Sequence, residues 1–354
     1  MSYALSSFVN CPNIQDSIDN YFGCDYAKTL KNNEVSLVKT LLSPANTSGV
    51  LAKTVYPGGN KLKTVELTYT PRIPKGAVST TIDPNDCTAT EKFGDRSEQY
   101  TIDPLVGVTI SRVIDPMDLI RKCESDSNYF SRLLYSMMDV LVRRMDNISA
   151  DQIVAFAGGF GPDETNVSAN TKTVRTRKSA SDNTLVSNWI SDIEFAVDNS
   201  GYCNAPLVFA YNDVYKVAQE LRASNCCNDG GLNLAVLNSI AGMMFIPNRN
   251  VPAALGGLNR FITVDPGKVQ LLTYNKYGQG DNIMLIDDDG YKATTIQHTE
   301  TGLDFDFRMV MTCGKWHIFV ELAHKLVGIP DDIYEVEDIY SGVTGVNKYA
   351  VSNT

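Results

Sequence analysis

Three histidines and two tryptophans are all that the 354 residues hold of those side chains, and several other absences narrow the reading further. No stretch approaches the roughly 20 consecutive apolar residues that a helix needs to cross a bilayer. The opening MSYALSSFVN has neither the basic n-region nor the apolar h-region of a secretory signal. There is no G-x-S-x-G, no H-E-x-x-H, no P-loop G-x-x-x-x-G-K and no dinucleotide G-x-G-x-x-G, so no standard hydrolase, metalloprotease or nucleotide motif marks a catalytic centre. Positive charge is also short. Thirty-one Lys and Arg face 41 Asp and Glu, for a net charge of −10. A surface that grips nucleic acid all over carries the opposite sign, because phosphate binding is driven by cations. A chain of this charge that lives beside a genome is expected to enclose it rather than bind it. The eight cysteines (Cys11, Cys24, Cys87, Cys123, Cys203, Cys226, Cys227, Cys313) form no C-x-x-C pair. The adjacent Cys226 and Cys227 are poorly placed to share one tetrahedral metal. Without an export signal they are expected to be reduced, mostly buried thiols in a protein made in a cytoplasm.

What is present is globular: 43% hydrophobic and 20% charged residues, in a chain long enough for two or more structural units. Residues 1–45 read as an arm, with a short amphipathic turn from Asn13 to Phe22 and helical spacing in VSLVKTLL, Val35 to Leu42. Then the period changes. After Pro57-Gly58-Gly59-Asn60, the residues Val65, Leu67 and Tyr69 alternate with Thr64, Glu66 and Thr68, the signature of a strand leaving a tight turn. A polar connection leads to a second strand, expected from near Gln99 to Val113. The two are expected to form a long two-stranded projection, which is marginal alone and finds its stability on a neighbour.

Asp115-Pro116 is a helix-start signal. From about Ser127, apolar residues recur as Phe130, Leu133, Leu134, Met137, Met138, Leu141, Met145 and Ile148, continuing to Ile153, Val154 and the helix-stopping Gly158-Gly159. This is the strongest periodic signal in the chain, and a helix of that length reaches about 45 Å. Further on, Leu185 to Val197 reads as an amphipathic helix. PLVFA (Pro206 to Ala210) reads as a short buried strand, and DVYKVAQELRAS as a helix capped by Asn212, so this part is mixed α/β. The last third is strand-rich: ATTIQHTE, DFDFRMVMT and KWHIFVELAH form a meander with Cys313-Gly314-Lys315 as a turn.

Three clusters invite chemistry. A calcium loop needs acidic oxygens at alternate positions and a closing Glu, whereas the consecutive Asp287-Asp288-Asp289 point in different directions, and Asp289-Gly290 between strands reads as an ordinary turn. His317 and His324 are near enough in sequence to meet in space, but His298, His317 and His324 have no evident carboxylate or cysteine partner and read as structural. The one dense basic run, Lys172 to Lys178, is open to three readings: a solvated loop, a partner for acidic patches on a neighbour, or a DNA contact.

The order of these units, together with SIAGMMFIPNRNVP and FITVDPGKVQLLTY between Ser239 and Tyr274, resembles the HK97-type major capsid protein of tailed bacteriophages. The resemblance implies an α+β fold with an N-terminal arm (1–45), an extended β-hairpin E-loop (46–105) and a P-domain with a long spine helix (106–184). A mixed α/β A-domain (185–295) and C-terminal strands returning to these domains (296–354) complete it. It implies pentamers and hexamers of one chain closing into an icosahedral virion shell, assembled in a bacterial cytoplasm around double-stranded DNA that is not read in sequence. Implied partners are further copies of the chain and separate scaffolding, portal and decoration proteins; no cofactor, metal, catalytic residue or membrane is implied. No lysine–asparagine crosslinking pair is identifiable. Expected intersubunit contacts are Asp16, Asp19 and Phe22 in the arm, Tyr56, Lys61, Lys63, Glu66 and Tyr69 in the E-loop, and Arg175, Arg177 and Lys178 in the basic run. The alternatives are an encapsulin-type compartment with enzyme cargo, a tail or surface structural protein, and a metal-dependent hydrolase built on Asp287 to Asp289 with His298.

Overall fold

The computed structural model describes residues 36–43, 51–55, 63–69, 96–115, 126–156, 172–175, 206–211, 239–240, 243–257, 260–276, 291–328 and 346–352. In chain order the elements are α1 (Leu37–Leu41), β1 (Leu51–Val55), β2 (Lys63–Tyr69), β3 (Arg96–Ile102), β4 (Gly107–Ile114), α2 (Asp126–Phe156), β5 (Lys172–Arg175), β6 (Leu207–Ala210), β7 (Ser239–Ile240), β8 (Met243–Pro247), α3 (Asn250–Ala254), β9 (Arg260–Val264), β10 (Val269–Tyr274), β11 (Tyr291–His298), β12 (Leu303–Thr312), β13 (Lys315–Gly328) and β14 (Val346–Ser352). The fold is α+β and mostly strand.

Helix α2 forms where the periodicity placed it. Its 31 residues contain neither Gly nor Pro, so nothing interrupts the ladder over about 46 Å. Phe130, Leu134, Met137, Met138, Leu141, Val142, Met145 and Ile153 are buried along one stripe, the spacing of a core-facing helix. Leu133 and Ile148 flank the stripe and pack against the same core.

That stripe covers a five-stranded sheet. Strand β13 is its axis, pairing antiparallel with β12 over Lys315–Glu321, with β4 over Trp316–Ala323 and with β10 over Ala323–Gly328; β11 pairs β12 beyond. The β11–β12–β13 meander is as expected. Thr312 faces Lys315 across a two-residue turn in which Cys313 and Gly314 both take positive φ (53° and 73°). That geometry matches the twist of the flanking strands. Cys313 is exposed, unlike the buried thiols expected from composition.

Alternation along β13 sends its two sets of side chains to two different layers. Ile318, Val320, Leu322 and Leu326 join α2 and the inward residues Phe305, Phe307 and Met309 of β12. Ala323 and Val327 face the other way, where with Leu272 they meet Val65, Leu67 and Ile102 of a second sheet. This second sheet has three strands in the order β1-β2-β3, which corrects the two-stranded projection expected from sequence. Strand β1 was too short to show a period. The strand expected from near Gln99 to Val113 is also divided, because Asp103-Pro104 turns the chain between β3 and β4. The base of the projection therefore rests on its own chain as well as on anything it later meets.

A six-stranded sheet, ordered β5-β14-β9-β6-β8-β7 and parallel at β5–β14 and β6–β8, completes the described structure. Its central strand β6 is buried throughout, as the apolar run PLVFA requires. Leu207, Phe209, Ile262, Val264 and Val346 reach the same continuous core as α2, with Val251 of α3 among them. Helix α3 was not foreseen. Asn248 Oδ1 accepts from Val251 N at 3.1 Å, starting a helical turn inside a segment that reads as strand.

One contact ties the end of the arm to this frame. Asp146, buried on α2, accepts from Ser36 Oγ and Val38 N, both at 2.9 Å, at the start of α1 where amide groups lack helical partners. Asp146→Ala leaves those donors unsatisfied, and the expected loss is about 1–3 kcal/mol. Hydrogen exchange of the 36–42 amides checks it: exchange there rises first while β12 and β13 stay protected.

Candidate functional site

No group of three or more His, Cys, Asp or Glu side chains able to hold a metal occurs among the described residues. The Asp287 to Asp289 run, the Asn13 to Phe22 turn and the helices expected at 185–197 and 213–224 lie outside the described residues. His298 is described, and its surroundings are aromatic. Its ring stacks on Tyr135 of α2 (centroids 5.7 Å, planes 12° apart) and meets the edge of Phe305 at 6.5 Å. Its Nδ1 lies 2.9 Å from Thr301 Oγ1. His317 and His324 do not meet. They sit seven residues apart on β13, an odd number, so they face opposite sides of the sheet about 23 Å apart.

Two histidines are buried, and burial pushes both below the ordinary value of 6.5. For His298 desolvation is opposed by Glu300 and Asp139 and reinforced by Lys39; for His324 desolvation is opposed by a backbone bond at Leu322. A depressed folded-state value means the unfolded chain takes up protons first. Stability from these groups is therefore complete above about pH 6.5 and is lost as pH falls below it. Thermal unfolding at about pH 5.5 is expected to occur at a lower temperature than at about pH 7.5, and a rise would contradict this sign.

Among the described residues, the most exposed large apolar side chains sit at the junction of the three- and five-stranded sheets. Leu105 is 88% and Val106 61% exposed. They are presented by a well-fastened turn: Asp103 Oδ1 accepts from Leu105 N at 2.8 Å and Asp103 O from Val106 N at 3.0 Å. Lys325 Nζ donates to Thr101 O at 3.3 Å just before it. Beside the turn lies an open cavity of about 140 Å³ bordered by Pro104, Val108, Lys276, Asp306 and Glu321. The Lys276–Glu321 ion pair (2.8 Å) and a bond from Lys276 N to Asp306 Oδ2 (2.7 Å) fix its polar wall. That volume holds a few waters and is well below the 300 Å³ or so of a typical ligand pocket. Sequence reading passed over this turn, although Asp-Pro followed by two apolar residues was the available signal.

Two cations come together on strands β14 and β9 of the six-stranded sheet. Lys348 is buried on β14, its ammonium pushed below its ordinary value first by desolvation and then by Arg260. Arg260 reaches back to Leu255 O at 2.5 Å. On β5, Arg175 stands in register with Ser352 and Lys172 with Tyr349. Tyr349 stacks on Phe261 at 4.8 Å, and burial raises its phenol well above the usual range despite a bond with Thr263.

Of the expected contact residues, Glu66 is half-buried on β2, opposite Gln99 and Lys53. Lys63, Tyr69 and Arg175 are placed at strand positions. Asp16, Asp19, Phe22, Tyr56, Lys61, Arg177 and Lys178 lie outside the described residues.

No family model and no curated protein matches the chain. Solved structures do match it, phage capsids and phage proteins among them. The capsid asymmetric unit of cyanophage A-1(L) is 10% identical, covering 93% of this chain and 96% of that one with a TM-score of 0.49. The mature capsid of bacteriophage PhiM1 is 10% identical, covering 82% of each chain with a TM-score of 0.42. A chain of Mycobacterium phage Che8 is 10% identical, covering 84% of this chain and 92% of that one with a TM-score of 0.39.

Proposed function

We propose that this chain is the major capsid protein of a tailed phage, a non-catalytic subunit that assembles through pentamers and hexamers into an icosahedral shell around double-stranded DNA. The observation that carries the reading is the three-layer build. A helix of about 46 Å lies on one face of a five-stranded sheet, and the base of a three-stranded extension rests on the other. In this reading α2 is the spine of a P-domain, β1 to β3 are the base of the E-loop, and the six-stranded sheet belongs to the A-domain. A flat subunit with an arm and an extension at its edges makes heterologous contacts, which close into rings.

The arm, the E-loop and the basic run Arg175 to Lys178 are assigned to contacts between copies, and Leu105 and Val106 join them. Scaffolding, portal and decoration proteins would dock on the assembled shell, and assembly would take place in the host cytoplasm. The acidic net charge suits enclosure of DNA without sequence-specific binding.

Leu105→Asp separates folding from assembly. At a site this exposed the subunit's stability should change by no more than about 0.5 kcal/mol. The same change puts a charge into an apolar contact, so sedimentation velocity of the full chain should show weaker assembly. Unchanged assembly would remove Leu105 from the contact set. Nuclease-protected DNA in particles from producing cells supports the phage reading, whereas protein cargo without DNA supports an encapsulin-type compartment.

A further inference from the structure

His298 ends β11 inside a seam where three elements meet. The ring is 1% exposed and lies between Tyr135 of α2 and Phe305 of β12, with Thr301 Oγ1 at 2.9 Å from its Nδ1. The turn that closes the β11–β12 hairpin folds back over it: Gly302 N donates to His298 O at 2.8 Å, and Leu303 N to Thr301 Oγ1 at 3.4 Å. Tyr135 is thus the point where the first half of the long helix touches the end of that hairpin. Five residues earlier on α2, Phe130 makes a second aromatic contact across the same seam, with Phe307 at 6.3 Å.

The charged groups acting on this imidazole come from three of the elements around it. They are Lys39 of α1, Asp139 of α2 and Glu300 of the hairpin turn. Asp139 is already engaged by Arg143 at 2.8 Å, and Lys39 is itself a cation. The acidic groups only partly offset the loss of water around the ring. A neutral imidazole stacks in such a seam at far lower electrostatic cost than an imidazolium, which must be hydrated or paired.

We propose that His298 is an acid-released latch between helix α2 and the β11–β12 hairpin. Neutral, it stacks on Tyr135 and holds the seam shut. Protonated, it leaves the dry seam, and the first half of α2 parts from the hairpin end while the six-stranded sheet keeps its packing. The direction follows from the depressed folded-state value: the latch is closed above about pH 6.5 and opens progressively below it. The inference does not depend on the shell reading, since it concerns a contact inside one chain.

Hydrogen exchange of the full chain between about pH 7.5 and pH 5, corrected for the intrinsic pH dependence of amide exchange, tests it. For one histidine with an ordinary value near 6.5 in the open state, the opening equilibrium of the seam rises by up to about 30-fold over that range. The rise should appear at the amides of 130–142 and 299–303 and not at 261–264. His298→Phe keeps an aromatic ring without a titrating group, and His298→Gln keeps a neutral polar side chain should Phe overfill the site. Either variant should flatten the pH dependence at the seam. A flat wild-type profile, an equal rise in both variants, or a rise spread uniformly over the fold would overturn the latch.

Discussion

Gly107→Ala is expected to destabilise the subunit by about 3 kcal/mol or more, near the upper end of what overpacking usually costs. An added Cβ would lie 2.1 Å from the Leu322 carbonyl oxygen and 2.7 Å from Ala323 Cα. Both are backbone atoms of β13, so no flexible side chain can yield. The strands themselves must separate, at the place where Gly107 pairs with Ala323 and Val108 with Leu322. The damage then spreads to both layers, because Leu322 faces α2 and Ala323 faces the three-stranded sheet. Denaturant unfolding followed by circular dichroism checks it, and a change under about 0.5 kcal/mol would mean that β4 does not approach β13 as described.

Phe307→Ala is expected to cost about 3–5 kcal/mol, the range for emptying a buried phenylalanine site. Phe307 is fully buried between Val320 and Thr294 on neighbouring strands, and its ring meets Phe130 of α2 edge to face. Removing the ring takes away both the transfer term and the aromatic contact that seats the helix on the sheet. Phe307→Leu retains most of the volume and should lose much less. A similar loss from Leu and Ala would point to a site governed by ring geometry rather than by volume.

Helix α2 was legible because its code is local: one apolar stripe of period 3.6 with no Gly or Pro for 31 residues. The β12–β13 hairpin was legible because Cys313-Gly314 supplies the positive φ pair that its turn requires. Strand β6 stood out as a run that only a doubly covered strand tolerates. Strand β1 was not legible, since five residues of LAKTV give too short a window for a period, and its identity comes from pairing with β2. The break at Asp103-Pro104 was masked by strand-like sequence on both sides. The two-faced use of β13 depends on which layer meets each face, and alternation alone does not name the layer.

The candidate site was less legible than the fold. The histidines were read as structural, which suits the burial of His298 and His324, but the stacking of His298 on Tyr135 joins residues 163 positions apart in the chain. Long-range juxtapositions of this kind leave no periodic trace. The Lys348–Arg260 proximity is similar, because it arises from the antiparallel pairing of β14 with β9. Contacts between copies are a step further removed, since they depend on surfaces that a single chain shows only as exposure.

Electron microscopy of the chain expressed alone, and then with scaffold proteins from its own source, is the most direct test of the central claim. The account predicts closed shells, or rings of five and six subunits. A uniform monomer under every assembly condition would contradict it.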